Sequence, residues 1–179
     1  MAEPETRPFA ALADAGGVTG WLAWPGGGAA CVFGRSGVSA AETKTEGDGA
    51  TPLGAWPLRE VFYRPDRLSR PDTRLPATAL TPAMGWCDDP ASPLYNQRVA
   101  LPFAASHEML WREDGVYDLI VPLGYNDDPV RPGAGSAIFL HLKRTDGAPT
   151  QGCVATDRDA LLALLRVAKP GDALTIATR

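Results

Sequence analysis

The chain has 179 residues, 45% of them hydrophobic, and a formal net charge of -4. That is enough for one domain with its own core, and too apolar for a disordered chain. It has no run of Lys or Arg, which excludes a nucleic-acid surface.

Residues 1–7 are polar and acidic and lack the basic start and apolar core of an export signal. No stretch approaches the roughly 18 apolar residues of a membrane-spanning helix, so no transmembrane segment is expected and the chain is read as soluble. Residues 1–17 read as an N-terminal extension and 18–179 as a single domain without internal repeats. Nineteen glycines and seventeen prolines are spread along the chain, which suits many short strands better than long helices. Strands are predicted over 20–24, 29–34, 55–64, 116–123, 135–142 and 173–177. Cys31 falls in the apolar run Ala-Ala-Cys-Val-Phe and reads as a core thiol.

The stretch Glu46-Gly47-Asp48-Gly49-Ala50-Thr51-Pro52-Leu53-Gly54 has too few carboxylates for a calcium loop and no following Gly-Lys-Ser/Thr, so it reads as a turn into the next strand. Residues 64–96 are rich in proline and read as loop, with Cys87 in an exposed turn. A second helix is expected over 102–111, with His107 on its half-exposed face. The clearest helix spans 159–169, with Thr156 or Asp157 as N-cap and Pro170-Gly171 as its stop. The expected architecture is mainly β, with one or two helices.

The chemistry concentrates near the C-terminus. Three cysteines leave at least one thiol unpaired within the chain. With only two histidines and no C-x-x-C they supply no zinc set, so neither metal nor other cofactor is expected. Cys153 follows Gly152, which permits a sharp turn, and the polar Thr150-Gln151. The helix expected near Asp157 would bring a partial positive charge that favours a thiolate. An inert buried thiol is the other reading. His141 lies eleven intervening residues upstream, on a strand whose alternation puts Ile138, Leu140 and Leu142 on one face and Ala137, Phe139 and His141 on the other. It is either a core histidine bonded to a carbonyl or the base of a Cys–His pair.

Gly135-Ser136-Ala137-Ile138-Phe139-Leu140-His141, followed by Pro149-Thr150-Gln151-Gly152-Cys153-Val154-Ala155, resembles the YkuD-type L,D-transpeptidase catalytic domain, in its compact single-domain branch. The 46–54 stretch, Gly85-Trp86-Cys87-Asp88-Asp89-Pro90 with Tyr95-Asn96, and Tyr117-Asp118-Leu119-Ile120-Val121 with Gly124-Tyr125-Asn126 match in the same order, over roughly residues 18–178. The resemblance implies a YkuD-like β-sandwich with a helix after the cysteine turn. It implies peptidoglycan stem peptides as donor and acceptor, and a covalent adduct with carbapenem β-lactams. It implies Cys153 as nucleophile, His141 as general base, and the backbone of Gly152 and Cys153 as oxyanion hole. A carbonyl at or next to Leu142 would orient the histidine, and Tyr125, Asn126, Ser136, Thr150 and Gln151 would form the pocket walls.

The chain departs from the commonest family pattern in its short His-to-Cys interval, in Gln151 before Gly152, and in Ala155 where an Arg or Asn is usual. Arg131, Arg144 or Arg158 could supply the missing cation. The cross-link is then either of the 3-3 type or of the 1-3 type starting at L-Ala–diaminopimelate. The same Cys–His pair also serves a carboxypeptidase or amidase with water as acceptor, and a non-catalytic wall-binding module is the third reading. The implied work lies in the periplasm or cell envelope, although no export signal is visible in this sequence.

Overall fold

The computed structural model describes residues 9–179; the acidic 1–7 stretch lies outside the described residues. Frequent Gly and Pro keep the strands short. They are β1 (Ala10–Ala13), β2 (Thr19–Trp24), β3 (Gly27–Val32), β4 (Val38–Ser39), β5 (Thr51–Pro52), β6 (Gly54–Pro57), β7 (Val61–Tyr63) and β8 (Ala77–Ala79). There follow β9 (Met84–Cys87), β10 (Arg98–Ala100), β11 (His107–Met109), β12 (Leu119–Pro122), β13 (Phe139–Leu142) and β14 (Val154–Thr156), then helix α1 (Arg158–Val167) and β15 (Ala173–Thr178).

Ten strands form one curled sheet in the order β6-β15-β1-β2-β3-β14-β13-β12-β7-β8. A three-stranded sheet, β10-β9-β11, and the pair β4-β5 complete the mainly β, sandwich-like fold with its C-terminal helix. β1 lies inside the stretch read as an extension and pairs with both β15 and β2.

The large sheet separates two apolar clusters. Alternation on β13 sends Leu140 and Leu142 into the larger one, where Ile138 from just before the strand and Leu161, Leu164 and Leu165 of α1 join them. Ala137, Phe139 and Cys153 go into the smaller one, with Phe62, Leu110, Tyr117 and Ile120. On β12, Leu119 and Val121 face the first cluster and Ile120 the second. The cysteine therefore belongs to the face opposite the helix.

Three expectations are corrected. Residues 102–111 form no helix: β11 pairs antiparallel with β9 (His107↔Cys87, Met109↔Gly85). An isolated helix of ten residues is marginal, and here the pairing with β9 outweighs local propensity. Cys87 is fully buried in β9, because that strand lies between β10 and β11. Residues 64–96 contain β8 and β9 as well as loop. Asp157 does occupy the N-cap of α1, but its side chain makes no capping bond and pairs instead with Lys143 at 2.9 Å.

Cys31 is 2% exposed in the larger cluster, and burial pushes its thiol up to about 12. Cys31→Ser places a hydroxyl there and is expected to cost about 1–3 kcal/mol. A thermal melt should show the lowered midpoint, with acylation of the protein unaffected. An unchanged midpoint would contradict the packing.

Candidate active site

β13 and β14 are adjacent and parallel, and His141 is in register with Ala155. Cys153 lies two residues before Ala155, so the pleat puts its side chain on the face that carries His141. The spacing between strands and the rise along them separate the two Cα atoms by about 8 Å, and among the described residues the thiol is hydrogen-bonded to Phe139 and Ala137 rather than to the imidazole. Both side chains line one cleft of about 260 Å³.

The backbone at Cys153 is fixed from several sides. Thr150 Oγ1 donates to the Cys153 carbonyl at 2.7 Å, and Thr51 Oγ1 donates to it at 3.3 Å. Gly152 has φ 138°, and a Cβ there would lie 3.0 Å from the Ala50 carbonyl oxygen, so the turn needs glycine. Cys153 Sγ accepts from the Phe139 N–H at 3.3 Å and donates to the Ala137 carbonyl at 3.2 Å. Ala137 itself has φ 53°, an uncommon conformation for a residue with a Cβ, and Asn96 Oδ1 holds its N–H at 3.0 Å.

His141 Nδ1 donates to the Leu142 carbonyl at 2.8 Å, since that oxygen can only accept. Nε2 is then left without a proton, as a base requires. The Tyr117 ring stands edge-on to the imidazole with centroids 5.3 Å apart, and its hydroxyl donates to Glu108 Oε2 at 2.7 Å. The Arg112 guanidinium lies over the other part of that ring, 4.9 Å from its centroid.

Burial pushes the Cys153 thiol up to about 12, with the nearby Glu108 adding to the effect. Burial also pushes His141 down to about 4, against the Leu142 hydrogen bond. The resting pair is therefore a neutral thiol and a neutral imidazole. The helix expected to favour a thiolate is not at the site: β14 intervenes, and α1 begins five residues after Cys153.

Ser136, Thr150 and Gln151 line the cleft. Tyr125 and Asn126 do not; they hold the preceding loop from behind. Tyr125 donates to the Ala134 carbonyl at 2.5 Å, and Asn126 bridges Arg131 and Gly135. The Gly152 N–H is occupied by Thr150 Oγ1 at 3.1 Å, whereas the Cys153 N–H has no hydrogen-bond partner among the described residues. Of the two N–H groups, that of Cys153 is the one left open.

Of the three arginines offered as substitute cations, Arg144 reaches the cleft. Arg158 instead pairs with the buried Asp118 at 2.6 Å, and the Arg131 main chain is tied to Asn126. Lys44, Glu46, Glu108, Arg112 and Tyr117 also line the cleft and escaped sequence reading. The turn at Asp48 brings the first two there, Lys44 by pairing with Asp48 and Glu46 from within the turn. Burial opposes ionisation of Asp48, yet hydrogen bonds from Lys44, Thr45 and Ala50 hold its carboxyl below the usual range. Those bonds fold the turn over the cleft.

The family model described as YkuD, L,D-transpeptidase catalytic domain, matches residues 10–176. The chain belongs to the YkuD family. The match begins at β1, which joins the first residues of that strand to the catalytic domain. No curated protein and no solved structure matches the chain. The YkuD family acts on peptidoglycan and is associated with the cell envelope. Among the described residues no helix is long and apolar enough to cross a membrane, and no group of side chains could hold a metal.

Proposed function

We propose that this YkuD domain is a cysteine-dependent L,D-transpeptidase that cross-links peptidoglycan stem peptides in the cell envelope. The observation that carries this reading is the presence of Cys153 and the Leu142-anchored His141 on the wall of one cleft, in a chain that the family model matches over residues 10–176.

As Sγ attacks the carbonyl carbon of the donor's L-centre-to-D-centre bond, His141 Nε2 takes the thiol proton. The Cys153 N–H faces the developing oxyanion. The C–N bond breaks, His141 returns the proton to the departing amine of the D-amino acid, and a thioester remains. An acceptor amine then attacks that carbon, the C–S bond breaks, and the thiol regains its proton through His141. Because the pair starts neutral, each proton that leaves has a defined acceptor.

Ala155 supplies no cation beside the cysteine, and Arg112 and Arg144 stand in the cleft instead. We assign them to the donor carboxylate. Their displaced position bears on whether the linkage is 3-3 or 1-3. The test is product analysis. Purified disaccharide-peptides incubated with the protein are expected to yield cross-linked dimers by mass spectrometry, with fragmentation locating the linkage. Shortened monomers alone would make it a carboxypeptidase, and no change with either donor length would overturn catalysis altogether.

A further inference from the structure

Most ionisable groups of the cleft have a partner of their own. Lys44 Nζ is bonded to Asp48 at 2.7 Å, Arg112 to Asp114 at 2.5 Å and Arg144 to Asp146 at 3.2 Å. Glu46 Oε2 receives the hydroxyls of Tyr95 and Ser136 and ties the turn to the segment before Ala137. Glu108 is different. It accepts one hydrogen bond, from Tyr117, on Oε2, and its other oxygen has none among the described residues.

Its position is specific as well. β11 carries Glu108 to the cleft wall, and the Tyr117 ring links it directly to the His141 imidazole. The carboxylate thus stands on the base's side of the nucleophile. It is also the anion that acts most on Cys153, opposing formation of a thiolate. For the acylation half of the reaction that is a disadvantage, since negative charge must develop on sulfur. A carboxylate helps at this place only when positive charge enters, and the acyl-transfer reaction brings one: the acceptor arrives as an ammonium.

Resting on the acyl-transfer reading above, we propose that Glu108 is the acceptor-binding residue, holding the incoming ammonium and taking the proton that must leave before nitrogen can attack the thioester. The protons balance. The acceptor R–NH3+ gives one to the Glu108 carboxylate, and the free amine forms the C–N bond as the C–S bond breaks. His141 relays a second proton from the tetrahedral adduct to the departing sulfur, and the third stays on the amide nitrogen. Glu108 then loses its proton to solvent. Burial already pushes its carboxyl upward, which suits a group that alternates between the two forms. Water as acceptor carries no such surplus proton and has no need of Glu108. The side chain therefore sets the choice between cross-linking and hydrolysis.

Glu108→Gln keeps an oxygen for Tyr117 and removes the charge. Two quantities are read on the purified protein: the rate of carbapenem adduct formation by intact mass, and the ratio of cross-linked to hydrolysed product from disaccharide-peptides. The expected result is a variant that still forms the adduct, at or above the wild-type rate, while the product ratio falls about 100-fold. Glu108→Asp, which retains the charge, should recover part of the ratio. A ratio unchanged in Glu108→Gln would overturn the proposal. So would equal losses in adduct formation and transfer, which would make Glu108 a support for Tyr117 and His141. A wild-type protein that forms no adduct and no product would instead overturn the acyl-transfer reading, and this assignment with it.

Discussion

Cys153→Ala is expected to abolish the carbapenem adduct and to reduce peptidoglycan turnover by about 10⁴-fold or more, the scale seen when a covalent nucleophile is removed. The chain has three cysteines and all are buried, so burial does not single one out. Position does: Cys31 packs in the cluster behind the sheet and Cys87 lies within the small sheet, whereas Cys153 lines the cleft. Intact mass spectrometry of wild type should show a single adduct, retained in Cys31→Ser and lost in Cys153→Ala. The loss should not come from unfolding. The removed sulfur has only the Phe139 N–H and the Ala137 carbonyl as hydrogen-bond partners, and the turn is held independently by Thr51 and Thr150 through the Cys153 carbonyl. An adduct that persists in Cys153→Ala would move the nucleophile elsewhere.

Local periodicity carried part of this structure plainly. The period-2 pattern read over 135–142 put Phe139 and Leu140 on opposite faces, as the two clusters have them, although the strand itself spans only Phe139–Leu142. The leucines of α1 declared their buried stripe in the same way. The error over 102–111 arose because its residues favour a helix locally, while β9 fixes them as a strand from twenty residues upstream. A strand alternation over 107–110 would have placed Glu108 and Leu110 together on the inner face. That signal is three or four residues long and has no strength against propensity.

The site shows the same division. The Gly-Cys turn and the histidine are legible because each is a residue type with few other uses in such a setting. The cleft's charged walls are not, because Lys44 and Arg112 reach Cys153 only through the folding of the Asp48 turn and the β12 and β13 pairing. The two backbone N–H groups beside the cysteine differ for a subtler reason. Sequence offers Gly152 and Cys153 equally, and only the Thr150 hydroxyl, turned back onto the Gly152 N–H, separates them. Arg158 is withdrawn from the cleft by Asp118, which also takes Arg67 at 2.9 Å. Such competition for a buried carboxylate is a property of the packed chain.

His141→Ala is expected to slow carbapenem acylation by about 10²–10⁴-fold, the usual range for a positioned base. The pH profile should identify the loss as loss of a base. In the wild type, burial holds His141 down to about 4, so the imidazole stays neutral and competent across ordinary pH. Acylation should therefore remain nearly flat from pH 8 to pH 5 and fall only as pH 4 is approached, well below the ordinary histidine range. In His141→Ala the residual rate should rise steadily with pH instead, because attack then waits for the rare thiolate of a thiol pushed up to about 12. Stability supplies an independent readout with a definite sign. The unfolded chain binds a proton at histidine near pH 6.5 and the folded chain only near pH 4, so the native state loses stability as pH falls between those values. The loss is of order 3 kcal/mol and is complete near pH 4. Asp48 and Asp114, held below the usual carboxylate range, contribute their own losses only at still lower pH. Replacing His141 should remove the loss between pH 6.5 and 4 while leaving the more acidic one in place, as denaturant melts across that window would show. If the melts of wild type and variant keep the same pH dependence, His141 is solvated, and the neutral Cys–His pair is no longer the resting state from which the reaction starts.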